Sequence, residues 1–294
     1  MPVTTKATTR KGKKALLQKA SKAVENPKHL VLLKSSKSSQ LVNDCLNALY
    51  QLKMPHSTKF TKRNDIRPFE DTASLSFISQ KSDASLFVLG SHSKKRPNQL
   101  CFIRMYNHKV LDMYEMGIKS LFHPKVTHPQ HMPDSGTRPF LQFIGHWEQH
   151  TELSNLKNFF IDFYQGDTTI DQINLNGQHY CLSFTLDHAP SPDATNHNAI
   201  TQATIKMRCH ILHLIKTDLA IPQVHLTPMG PHMDLQLRRV QYPVQQQWQQ
   251  AIKQPKQEKK HKNVSTTEMG DLTARIHVPS QDLRDMQPSK LKGL

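Results

Sequence analysis

The apolar residues of this chain fall in short runs confined to its middle, which limits what it can fold into. No run approaches the uninterrupted length of about 20 residues that a membrane span requires, so no membrane is expected among its partners. Residues 1–27 and 243–294 read as polar, basic tails, the second Gln-rich at its start. The packed core is expected within residues 28–242. The chain has 294 residues, 36% of them apolar, enough for one large domain or two smaller ones. Residues 1–14 are rich in Lys and Thr and lack the apolar stretch of a secretory signal. With a single arginine and no amphipathic apolar face, they also make a poor transit peptide.

Inside the core segment the periodicities predict an α/β architecture. Leu16, Leu17, Ala20, Ala23 and Val24 permit one short helix before Pro27. Residues 29–33 read as a buried strand. The Ser/Lys turn at 35–39 can cap a helix carrying Leu41, Cys45, Leu49 and Leu52, which ends before Pro55. Residues 59–71 read as polar, basic and punctuated by Pro68; 73–80 as a helical or extended piece; 84–90 and 99–105 as strands joined by a long polar loop. Residues 110–122 are mixed, with helical spacing at Met113, Met116 and Ile118. The Pro- and His-rich stretch 124–137 is the best linker. A second pattern follows: a strand at 140–147, and a helix with Leu153, Leu156, Phe160 and Phe163 on one face. Strands then flank an Asn176-Gly177 turn and continue as extended segments at 203–215 and 223–227, with a short apolar-basic segment at 235–240. The order strand–helix–strand–strand recurs in each half, 28–123 and 138–242, which predicts a structural duplication with mixed sheets. After Pro243 the composition predicts a flexible tail.

Charge narrows the class of partner. Lys plus Arg total 39 against 23 Asp plus Glu, a net charge of +16. Such a surplus draws polyanions, and nucleic acid binds with release of counterions. The cations cluster. The loop between the predicted strands reads Gly90-Ser91-His92-Ser93-Lys94-Lys95-Arg96-Pro97-Asn98. Lys94, Lys95 and Arg96 suit phosphate oxygens, with His92, Ser93 and Asn98 as further polar contacts. The lesser alternative for this loop is a solvated turn or a nuclear-import patch. A second cluster, Lys59, Lys62, Arg63 and Arg67, is interleaved with Phe60 and Phe69, which either stack on unpaired bases or anchor the core. Arg238-Arg239 form a third, near Asp234. In the tail, Lys253, Lys256, Lys259, Lys260 and Lys262 alternate with polar residues and suit RNA phosphates or an import signal. Ile276, Val278 and Leu283 read as a strip that packs on protein.

Other chemistry finds little support. Cys45, Cys101, Cys181 and Cys209 are widely spaced among apolar neighbours, the pattern of buried free thiols in a reducing compartment. His123, His128 and His131 lack a Cys or carboxylate scaffold. His210 and His213 would share a face only if helical. No metal or cofactor is expected. No nucleophile elbow, phosphate-cradling loop or paired acids appear, so an enzyme is not expected; an RNA-modifying enzyme stands as the reading from another class.

Several segments together resemble the Brix-domain family of ribosome assembly factors. They are Val24-Glu25-Asn26-Pro27-Lys28, Arg67-Pro68-Phe69-Glu70-Asp71, the run from Asp83 through Asn98, Gly230-Pro231 with Asp234 and Arg238-Arg239, and Ile276-His277 with Gln281-Asp282-Leu283. The resemblance extends from about residue 24 to 290, and the long loop motif is its most specific part. It implies a Brix domain of two similar α/β halves, like the anticodon-binding domain of some aminoacyl-tRNA synthetases. It implies a nucleolar RNA-binding scaffold that delivers the 5S ribonucleoprotein (5S rRNA with two ribosomal proteins) to the large-subunit precursor and supports rRNA maturation. It also implies a heterodimer partner, the ribosome biogenesis regulatory protein called regulator of ribosome synthesis. The alternative is a sibling Brix factor at another pre-rRNA site. The chain departs from the family in its histidine enrichment and its Gln-rich stretch from Gln245 to Gln250.

Overall fold

The structure, a computed structural model, describes residues 8–19, 27–122, 135–164, 179–187, 203–217, 221–253, 262–267, 271–276, 278 and 280. They divide between two compact units, one formed by residues 27–253, the other by 1–26 and 254–294. The smaller unit holds helix α1 (Arg10–Lys19) and a hairpin of β11 (Val264–Thr266) and β12 (Leu272–Ala274). Among the described residues no helix is long and apolar enough to cross a membrane.

The larger unit is built on one mixed sheet. Its strands are β1 (Leu30–Ser35), β2 (Ser57–Asn64), β3 (Leu86–Ser91), β4 (Gln99–Tyr106), β5 (Lys109–Phe122), β6 (Phe140–Ile144), β7 (Tyr180–Asp187), β8 (Thr204–Ile215), β9 (Gln223–Pro228) and β10 (His232–Gln241). They lie in the order β2-β1-β3-β4-β5-β10-β8-β7-β6, with β9 on β8. The duplication shows in the pairing. β1 runs parallel to β3, which is antiparallel to β4 and then β5. β6 likewise runs parallel to β7, which is antiparallel to β8 and then β10. Helices α2 (Gln40–Lys53) and α4 (Thr151–Tyr164) follow the first strand of each half. The halves join where β5 pairs antiparallel with β10.

The halves differ in how they are covered. One core spans both, with α2 and α4 packed on the same sheet face against Leu30, Val88, Phe102, Tyr114, Leu182 and Phe184. Among the described residues a second core is found only in the first half: Val31, Leu33, Phe87, Leu89, Ile103 and Met113 under Leu75 of α3 (Ala73–Ser82) and Ile66. Strands covered on both faces must be apolar throughout, hence Leu-Val-Leu-Leu in β1 and Leu-Phe-Val-Leu in β3. In β8, buried Ile205, Met207, Cys209 and Ile211 alternate with half-buried Lys206, Arg208, His210 and Leu212. That alternation marks a sheet roofed on one side. Ser39 caps α2 by accepting the Val42 N–H. α2 lies close to the end of β3, because a Cβ on Gly90 would stand 2.5 Å from Val42 Cγ1.

Three expectations change. Residues 110–122 form the long strand β5: Met113 and Met116 lie on opposite faces, in different cores, so burial of both faces mimicked helical spacing. The start of the segment 59–71, read only as polar and basic, lies in edge strand β2, stabilised by parallel pairing with β1 rather than by its own propensity. Beyond Pro243 the chain is not simply flexible, since Gln245–Ile252 form helix α5. Its Trp248 ring lies over the Arg104 guanidinium at 5.4 Å. The expected Asn176-Gly177 turn and most of the 124–137 linker lie outside the described residues. All four cysteines are buried free thiols, as expected.

A buried ionic network ties the halves together. Arg104 of β4 meets Asp112 of β5 through Nε–Oδ1 at 3.1 Å and Nη2–Oδ2 at 2.5 Å. Its Nη1 donates to Asn158 and Asp162 of α4, both at 3.1 Å. Burial pushes the Asp112 carboxyl upward, while the Arg104 hydrogen bond pulls it down. Breaking such a pair strands a buried charge. Asp112→Ala is expected to lower unfolding free energy by about 3–5 kcal/mol in urea titrations, whereas Arg104→Met with Asp112→Leu loses much less. A smaller loss in the single variant than in the double would refute this.

Lys53, at the end of α2, donates to the Phe163 carbonyl near the carboxyl end of α4 at 2.5 Å. Burial pushes its ammonium down to about 8 from 10.5, against the attraction of Asp162. Between those two values the unfolded chain holds more protons than the folded one, so this group raises stability with pH across that window and contributes no slope below it. Relative to Lys53→Met, the native chain should gain up to about 3 kcal/mol from pH 8 to 10.5, read from paired denaturation curves. Parallel pH profiles would show that Lys53 stays charged.

Candidate nucleic-acid interface

The basic loop leaves β3 at Ser91 and re-enters the sheet at Gln99, and it is held on all sides. The His92 N–H donates to the Lys37 carbonyl at 2.9 Å. Within the tip, the Ser93 N–H donates to the Arg96 carbonyl, and the Arg96 N–H donates to Ser93 Oγ, each at 3.1 Å. Asn98 adopts φ 47, a left-handed conformation that asparagine tolerates. Its Oδ1 accepts from Ser39 Oγ at 2.7 Å, and its carbonyl accepts the Ile118 N–H at 2.8 Å. Lys94 and Lys95 stand exposed at the tip. Their backbone is therefore ordered before any ligand arrives, which lowers the entropic cost of binding.

Arg238 and Arg239 reach the same loop through a bulge. The register of β10 against β5 jumps from Leu237 opposite Met116 to Arg239 opposite Glu115, leaving Arg238 as the extra residue. Two consecutive arginines thereby face the same side. Arg238 lies across Gly117, where a Cβ would meet its guanidinium at 2.3 Å, and Nη1 donates to the Pro97 carbonyl at 2.8 Å. Arg239 places Nε and Nη2 at 2.9 and 2.8 Å from Glu115 Oε2, and Arg96 Nη1 sits 3.3 Å from the same oxygen. Glu115 is fully buried, and its Oε1 has no hydrogen-bond partner among the described residues. One carboxylate thus orients two guanidinium groups, each of which keeps a solvent-facing edge for a phosphate. Arg239 also covers the Phe69 ring at 3.5 Å.

Some of these groups line a cleft of about 400 Å³ at the carboxyl ends of the parallel strands β1, β2 and β3. Lys37, Arg67, Phe69, His92, Arg96 and Arg239 are among its walls.

The structure thus brings together His92, Ser93, Lys94, Lys95, Arg96 and Asn98 with Arg67, Arg238 and Arg239. It separates the rest. Lys59 turns to α2, where its ammonium bonds Asn47, and burial and Lys34 lower its pKa. Lys62 and Arg63 stand exposed on edge strand β2. Phe60 and Phe69 both pack against the second core, which favours the anchoring role for Phe60. Lys262 is exposed; Lys256, Lys259 and Lys260 lie outside the described residues. Ile276 and Val278 are exposed, and Leu283 lies outside the described residues. Lys37, Glu115 and Gly117 were not singled out in the sequence. An acid inside the apolar run 110–118 was the available signal for Glu115, since a buried carboxylate requires partners.

The histidines divide. His210 and His213, three apart on a strand, face opposite sides; His210 neighbours His232 at 5.6 Å and His213 neighbours His225 at 6.4 Å. His123, His128 and His131 lie outside the described residues. Among the described residues no three His, Cys, Asp or Glu side chains cluster as a metal site. On the face turned away from α4, Lys206 of β8 pairs with Asp187 at 2.6 Å and Arg208 of β8 with Asp234 of β10 at 2.7 Å.

Gly117→Ala displaces only the flexible end of Arg238, so the sheet should survive. Hydrogen exchange at the Ser93 and Arg96 amides is expected to rise to the same extent in Gly117→Ala and Arg238→Ala, with no further rise in the double variant. Additive increases would show that Gly117 does not act through Arg238.

The sequence matches the Brix domain over residues 35–239. It is 36% identical over 288 residues to the ribosome production factor 2 homolog of Schizosaccharomyces pombe, covering 96% of this chain and 88% of that protein. It is 39% identical over 268 residues to the human ribosome production factor 2 homolog, covering 90% and 82%. The crystal structure of a probable ribosomal biogenesis protein from Aeropyrum pernix K1 aligns with a TM-score of 0.41 at 9% identity, covering 71% of this chain and 96% of its own. With its two halves joined through β5 and β10 and its profile matched across both, the chain belongs to the Brix-domain family, among the ribosome production factor 2 homologues.

Proposed function

We propose that this chain is a non-enzymatic, RNA-binding scaffold of ribosome assembly. In this reading it works in the nucleolus, helps recruit the 5S ribonucleoprotein to the large-subunit precursor, and supports rRNA maturation. The observation that carries the RNA reading is the convergence of Lys94, Lys95, Arg96, Arg238 and Arg239 on one ordered end of the sheet. Fixed cations of this kind bind phosphates without needing a cofactor. The names of its relatives favour ribosome production. Lys62, Arg63 and the tail lysines Lys256, Lys259, Lys260 and Lys262 would add outlying phosphate contacts.

A protein partner, regulator of ribosome synthesis in this reading, suits the second half. No described helix roofs the outer face there, and Lys206 and Arg208 on it are already paired with Asp187 and Asp234. Phe122, Phe140 and Ile144 stand exposed on it. A surface of neutralised charge and apolar side chains fits protein better than RNA. The two ribosomal proteins of the 5S particle would come with the RNA.

The test is Lys94→Glu with Lys95→Glu in the partner-bound protein. Arg96 is left intact because a carboxylate there would face buried Glu115. Affinity for 5S rRNA should fall at least tenfold, and the slope of log affinity against log salt should flatten by about two phosphate contacts. Unchanged affinity and slope would sink the reading, and lost partner capture with intact RNA affinity would assign the loop to protein.

A further inference from the structure

We propose that the cleft at the carboxyl ends of β1, β2 and β3 receives one unpaired RNA nucleotide, swung out of the strand held by the 91–98 loop. This rests on the RNA reading above and specifies what the cleft adds to it. Three observations support it.

The first is position. β1 leads through α2 to β2 on one side, while β3 pairs on its other side. The strand order reverses there, and crevices at such points are the common ligand sites of α/β sheets. The walls come from the three strand exits: Ser36 and Lys37 after β1, Asp65 to Phe69 after β2, and His92 after β3.

The second is size and chemistry. A cleft of about 400 Å³ is far larger than a phosphate needs. The residues lining it include hydrogen-bond donors and two acids, Asp65 and Glu70. Carboxylates repel a bare phosphate but accept from the amino and imino N–H groups on a base edge. Asp65 is exposed, whereas Glu70 is already tied to Arg67 at 3.1 Å. Asp65 is therefore the acceptor we assign to the base. The Arg239 guanidinium, backed by the Phe69 ring, supplies a flat surface beside the base, as unpaired bases require.

The third is alignment. Lys94 and Lys95 lie at the tip of the loop whose His92 and Ser93 form one wall of the cleft. Phosphates gripped by the tip place their own nucleotides next to that wall. Base-paired RNA keeps its edges inward and cannot enter, so the cleft selects single-stranded or bulged RNA.

The experiment uses the full chain and three probes: a single-stranded RNA heptamer, its blunt duplex, and the four nucleoside monophosphates as competitors. The single strand should bind at least fivefold more tightly than the duplex, and one monophosphate should compete at least fivefold better than the weakest. Asp65→Asn, an exposed and fold-neutral change, should erase both preferences and leave the salt slope intact. Lys94→Glu with Lys95→Glu should do the reverse, weakening the heptamer while the ranking of monophosphates persists. Equal binding of duplex and single strand, equal competition by the four monophosphates, or preferences untouched by Asp65→Asn would each overturn the cleft. None of these results touches the loop's hold on RNA phosphates, which the lysine variant reads alone.

Discussion

The antiparallel pairing of β5 with β10 is the contact on which the rest depends. It fuses two half-sheets into one and places α2 and α4 side by side over a shared core. The same seam carries the bulge that turns Arg238 and Arg239 to one side, opposite Glu115 and Gly117. Architecture and the placement of the candidate site therefore share one set of backbone hydrogen bonds. A slip of one residue here would send every side chain of β10 to the wrong face.

Electrostatics in the molecule follows two different regimes. Arg104 and Asp112 are enclosed, and with half-buried Asp162 their charges are used up holding β4, β5 and α4 together. Arg96 and Arg239 have one edge bound to Glu115 and the other in solvent. The first arrangement gives rigidity; the second aims cations outward at little entropic cost. Net charge alone could not separate these roles, because both kinds of arginine count equally in it.

Much of the architecture was legible because local pattern and global burial agreed. Leu41, Cys45 and Leu49 mark α2, and Leu-Val-Leu-Leu marks a strand covered on both sides. Where burial of both faces erased the alternation, as in β5, periodicity misled. Where a strand is held by its neighbour, as in β2, composition concealed it. At the site, the loop lysines were plain because they adjoin in sequence. Glu115 and Gly117 were not, since their meaning comes from Arg239 and Arg238, which lie opposite them only after β10 has paired. Lys37 was hidden for the opposite reason: its backbone carbonyl, rather than its charge, helps hold the loop.

The seam also imposes a schedule on the chain as it leaves the ribosome. β1 to β4 can pair among themselves once residue 106 has emerged, but one edge of β5 has no native neighbour until β10 is made. Phe122 waits for His232, and Met113 for Gln241. Throughout that interval the nascent protein presents a long strand with one open edge, of the kind that seeds misassociation. The polar stretches separating the halves keep the second half within reach of the first, so closure is a search along one tether rather than an encounter between molecules. A factor that builds ribosomes is thus itself most exposed to error while it is being translated.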